Sequence, residues 1–76
     1  MNKFPSMETV KWLREQYPCG CRIELVHMDD PYAKLKPGDH GSVDFVDDAG
    51  VIQMIWDCGS TLGLIWGVDQ FQKIDA

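Results

Sequence analysis

Residues 37–66 carry three short apolar runs with a strict two-residue rhythm. In the first, Val43 and Phe45 fall on one side and Asp44 on the other. In the second, Ile52, Met54 and Trp56 share a side across from Gln53, and in the third Leu62 and Leu64 share a side across from Gly63. Successive side chains of a strand leave the pleat in opposite directions, so this rhythm predicts half-buried strands. The breaks between the runs are Asp47-Asp48-Ala49-Gly50 and Asp57-Cys58-Gly59. Each puts a glycine late in the turn, where a left-handed backbone closes a type I turn through a one-residue bulge. The stretch is expected to form a three-stranded antiparallel meander.

The flanks have different periods. Met7, Val10, Leu13 and Tyr17 lie on one side of a helix spanning about residues 7–17. Ser6 is placed to cap it, Glu8 suits its first turn, and Pro18 and Gly20 end it. Trp12 falls off this apolar stripe, either at its flank or out in solvent. Residues 21–28 alternate again, with Ile23 and Leu25 inward and Arg22 and Glu24 outward. Residues 29–38 contain two prolines and read as a long loop. Residues 67–70 fit one tight helical turn, and residues 71–74 a short last strand. The expected core is Val10, Leu13, Ile23, Leu25, Val43, Phe45, Ile52, Met54, Trp56, Leu62, Leu64 and Phe71.

This order predicts a mainly β protein with one N-terminal helix. Its five short strands are expected to close as a small SH3-like barrel over about residues 21–75, with the helix over the open end. At 76 residues the chain makes a single domain, residues 1–76. A hydrophobic fraction of 45% argues against disorder. No apolar run reaches the ~20 residues of a membrane span, and the first dozen residues lack the apolar core of a secretory signal. A soluble cytoplasmic protein with no membrane partner is expected. The odd cysteine count (Cys19, Cys21 and Cys58) fits free thiols in a reducing compartment better than a disulfide framework.

The net charge of −5 is uneven. Residues 1–22 set Lys3, Lys11, Arg14 and Arg22 against Glu8 and Glu15, whereas residues 29–57 set seven aspartates against Lys34 and Lys36. Such an acidic body repels phosphate backbones, so no direct nucleic-acid binding is expected.

The blocks LREQYPCGCRIELVHMDDP, PGDHGSVDFVDDAG and IWDCGSTLGLIWGVDQF together resemble the family known as domain of unknown function 4314. The matching positions include Tyr17, Pro18, Gly20, Leu25, Asp29, Asp30, Pro31, Pro37, Gly38, Gly41, Val43, Asp47, Asp48, Gly50, Trp56, Asp57, Gly59, Leu62, Gly67, Asp69 and Phe71. The resemblance runs from about residue 10 to residue 74. It implies a compact SH3-like domain of a kind often encoded on phages and mobile elements, and it implies no activity. This chain departs from the family pattern at Cys19, Cys21 and Cys58, where small, aliphatic or polar residues are more usual.

Candidate chemistry is sparse. Cys19, Cys21, Cys58, His27 and His40 are potential zinc ligands, but Cys-x-Cys is not the knuckle spacing and no second pair follows, so no metal is expected. A cysteine nucleophile would need a base and an oxyanion site, for which a small filled barrel has little room. The adjacent aspartates 29–30 and 47–48 suit turns whose carboxylates bond their own backbone. There is no phosphate loop, so neither an enzyme nor a cofactor is expected. The expected function is a non-enzymatic binding module whose Tyr32 and Trp66, ringed by Asp29, Asp30 and Asp57, engage a basic segment of a protein partner. Two alternatives are an inhibitor of a host nucleic-acid-binding defence protein, carried by a phage or mobile element, and a small-ligand binder assembled at an oligomer interface.

Overall fold

The computed structural model describes residues 6–28 and 34–74. Helix α1 (Met7–Gln16) starts where a capping side chain is available: Ser6 Oγ accepts from the Thr9 N–H at 3.2 Å. It stops at Tyr17, whose N–H donates to Leu13 O just before Pro18 removes the next donor. Val10 and Leu13 are fully buried beneath it. Met7, at the start of the same stripe, is 68% exposed.

Five strands follow: β1 (Arg22–His27), β2 (His40–Val46), β3 (Val51–Trp56), β4 (Leu64–Ile65) and β5 (Gln70–Lys73). They form one antiparallel sheet in the order β4-β3-β2-β1-β5. The two edge strands are consecutive in the chain. Four residues join them, and the Val68 and Asp69 N–H groups both donate to Ile65 O. The sheet is not closed, because among the described residues no ladder pairs β4 with β5.

The two hairpins of the meander share one hydrogen-bond pattern. The Gly50 N–H donates to Asp47 O while the Asp47 N–H donates to Val51 O. Likewise the Gly59 N–H donates to Trp56 O and the Trp56 N–H to Ser60 O. Gly50 and Gly59 have φ of +82° and +95°, the left-handed conformation their turns require.

The core lies between the inner face of the sheet and α1. It contains Val10, Leu13, Tyr17, Ile23, Leu25, Leu35, Val43, Val46, Ile52, Met54, Trp56 and Leu64, with Leu62 and Phe71 partly buried against it. Trp56 is 1% exposed, and its Nε1–H donates to Leu62 O at 2.8 Å, so the indole is both packed and tethered. One expected core position is corrected. Phe45 is 53% exposed and Val46 takes its place at 4%. The cause is a bulge in β2: Val43 pairs with Met54, but the next pair is Phe45 with Gln53, leaving Asp44 unmatched. An extra residue reverses the inside–outside order beyond it.

Candidate functional site

Four aromatic rings meet where α1 faces the β4–β5 corner. Trp12, on the flank of α1, packs edge-on against Trp66 at 5.1 Å between centroids. Trp66 also lies 6.1 Å from Tyr17 and 6.1 Å from Phe71, and Tyr17 lies 5.6 Å from Phe71. Tilted and edge-on contacts of this kind suit the ring quadrupoles. Lys73 Nζ sits 5.0 Å from the Tyr17 ring centroid, within cation–π range.

The corner itself is fixed by Asp69, whose Oδ2 accepts from the Ile65 N–H at 2.9 Å. Trp66 therefore projects from a backbone held on both sides. The bed beneath it is dry: Tyr17 is 8% exposed, and burial, followed by the nearby Cys21, pushes its phenol pKa up. The upper half of the cluster is wet, with Trp66 46% and Trp12 42% exposed. Val68 and Val26 are exposed nearby, and an open groove of about 400 Å³ runs between Val26, Trp66, Asp69 and Phe71. A rigid aromatic bed with exposed ring faces can accept an apolar or cationic side chain.

Asp57 is elsewhere. Trp66 follows the strand that pairs with the start of β3, whereas Asp57 follows the end of β3, so the six residues of β3 separate them. Asp57 accepts two hydrogen bonds from Arg22, at 2.9 and 2.6 Å, and Arg22 also donates to Ser42 Oγ. The Arg22 hydrogen bonds hold the Asp57 carboxyl below the usual range, against a smaller opposing effect of desolvation. The structure thus gives Asp57 a partner within the chain and does not bring it to Trp66. The other expected site residues, Asp29, Asp30 and Tyr32, lie outside the described residues.

Trp12, Tyr17 and Phe71 are members of the cluster that the sequence did not assign to a site. The available signal was Trp12 itself, a large aromatic off the buried stripe of its helix.

The remaining polar groups serve the hairpins and the outer sheet face. Asp47 accepts from the Ala49 and Val51 N–H groups and from Gln53 Nε2. Burial opposes its ionisation, but these bonds and the Arg14 charge outweigh it, and its carboxyl stays below the usual range. Arg14 donates to Val46 O and pairs with Asp48 at 2.8 Å, tying α1 to the β2–β3 hairpin. His40 Nε2 lies 3.0 Å from Glu24, which also accepts from Gln72. Among the described residues no group of three or more His, Cys, Asp or Glu side chains could hold a metal ion. Nor is any described helix long and apolar enough to cross a membrane.

No curated protein and no solved structure matches this chain. The family described as a domain of unknown function (DUF4314) matches residues 6–74, from the cap of α1 to just past the end of β5, and the chain belongs to that family.

Proposed function

We propose that this protein is a non-enzymatic binding module of the SH3-like barrel type, and that Trp66 and its aromatic bed form the contact surface for a basic segment of a protein partner. The barrel reading draws on the strand order β4-β3-β2-β1-β5 and on the short, hydrogen-bonded link between the two edge strands. The observation that carries the binding reading is Trp66: half exposed, locked at a corner by Asp69, and backed by three other rings. A large amphipathic ring with little freedom left to lose is the kind of residue that dominates interface energies. The net charge of −5 supports a basic partner, by attraction at long range and cation–π contact at short range. The free cysteines suit a cytoplasmic setting.

The three tryptophans provide the test. Lysine- and arginine-rich peptides, with and without proline, are titrated into the labelled protein while the indole N–H signals are followed by NMR. The Trp12 and Trp66 signals are expected to move, with buried Trp56 as the internal reference. Raising salt weakens the effect, and Trp66→Ala abolishes it. The reading fails if acidic peptides shift the same signals equally, or if no basic peptide shifts them at millimolar concentration.

A further inference from the structure

Residues 18–21 make the turn that joins α1 to β1. The Cys21 N–H donates to Pro18 O at 3.0 Å, and Gly20 has φ +90°. A hydrogen bond from fourth residue to first, with a left-handed third residue, identifies a type II turn. Folding the chain this way holds the Cα atoms of the second and fourth residues, Cys19 and Cys21, about 5.5 Å apart. That falls inside the window of roughly 4.4–6.8 Å that a disulfide spans.

The turn is pinned to the sheet on both sides of Gly20. The Gly20 N–H donates to Val43 O at 2.8 Å, and the Val43 N–H donates to Cys21 O at 2.9 Å. Its outer side is open, since nothing lies within 4 Å of where a Cβ on Gly20 would sit. Both thiols are free, with Cys19 exposed and Cys21 half buried. The third thiol, Cys58, is exposed in the hairpin that follows β3.

We infer that Cys19-Gly20-Cys21 is a dithiol modification site, which a low-molecular-weight disulfide of the glutathione class converts into a Cys19–Cys21 disulfide. The exposed Cys19 thiol reacts first. After losing its proton to solvent, its Sγ attacks one sulfur of the reagent, forming a mixed disulfide and expelling a small thiolate that takes up a proton. Cys21 Sγ, deprotonated in turn, attacks the Cys19 sulfur, and the second small thiol leaves. Two protein thiols are oxidised by two electrons, and one reagent disulfide is reduced to two thiols. Cys19 also lines a groove of about 310 Å³ with Arg14, Tyr17, Pro18 and Phe45. Drawing its side chain towards Cys21 makes the wall of that groove depend on oxidation state.

The full chain and a Cys58→Ser variant are equilibrated in mixtures of oxidised and reduced glutathione, quenched in acid, alkylated and digested with trypsin. Cys19 and Cys21 share the fragment of residues 15–22, while Cys58 falls in another, so both proteins report on the turn. The expected product is a monomer whose 15–22 fragment is lighter by two hydrogens and takes up no alkylating group. The ratio of closed to open form should exceed that of the free 15–22 peptide in the same buffer by about tenfold, because the folded turn holds the two sulfurs' carriers in place. Persistent glutathione adducts, disulfide-linked dimers, or a ratio no higher than the peptide's would each overturn the inference.

Discussion

Gly41 is the position where adding one carbon does the most damage. It lies mid-sheet in β2, paired with Ile23 on one side and Trp56 on the other. A Cβ built on it would come within 2.8 Å of Trp56 Cε3, 3.0 Å of Ile55 O and 3.0 Å of Trp56 Cα. Comfortable carbon–carbon contacts are about 3.5–4.0 Å, so something must move. The backbone atoms of β3 are held by the ladder and by the Asp57 N–H donating to His40 O at 2.9 Å. The indole is held by its own bond to Leu62 O.

Overpacking of this kind costs about 1–3 kcal/mol, and the smaller unfolded-state entropy of alanine offsets about 0.4–1 kcal/mol. Gly41→Ala should therefore destabilise by about 1–2 kcal/mol, lowering Tm by about 4–16 °C in a domain of this size. Urea unfolding followed by tryptophan fluorescence measures it. Pairing the change with Trp56→Leu tests the cause, since removing the indole should relieve part of the penalty and leave a coupling of at least about 0.5 kcal/mol. A Gly41→Ala protein as stable as the parent, or strictly additive losses in the cycle, would show that the close approach to Trp56 is not what demands glycine here.

If the bulge at Asp44 sets the faces of β2, Phe45→Ser should change stability by no more than about 0.5 kcal/mol, whereas Val46→Ala should cost about 2 kcal/mol from two buried methyl groups and the space they leave; the opposite ranking in urea midpoints would restore simple alternation. Asp47 and Asp57 both have carboxyl pKa values lowered in the folded chain. Their contribution is complete above the unfolded carboxylate pKa of about 3.9 and is lost as pH falls through the lower folded values. Urea midpoints should be insensitive to these groups above about pH 5 and fall below about pH 4, with a shallower fall in Asp47→Asn; a midpoint that rises on acidification contradicts the assignment.

Much of this fold was legible in the chain because it is written in short-range chemistry. The Ser6 cap, the Pro18 stop, and the glycines at 50 and 59 each act within four residues of themselves, and the alternation in β3 needs only the pleat. The core residues of α1, β1 and β3 follow from period alone. Phe45 was misplaced because a bulge is a mismatch between two strands, and one strand's sequence does not display it. Leu35 was missed for a related reason. It sits in irregular chain with no period, and it is buried because the following turn pairs back onto β1 through Gly38 and Asp39.

The sequence by itself determined the element types, the hairpins and the acidic balance, all of which follow from neighbours in the chain or from simple counting. Only the tertiary structure decided how distant residues share space. It paired Arg22 with Asp57 and Arg14 with Asp48, partners more than thirty residues apart, and so took Asp57 away from Trp66. It also carried Trp12 across to Trp66, gathering rings from the helix, its cap, the β4–β5 corner and β5 into one bed. Contacts of that kind depend on the curl of the sheet and the seat of the helix, which are global solutions to burying one core, and no local pattern encodes them.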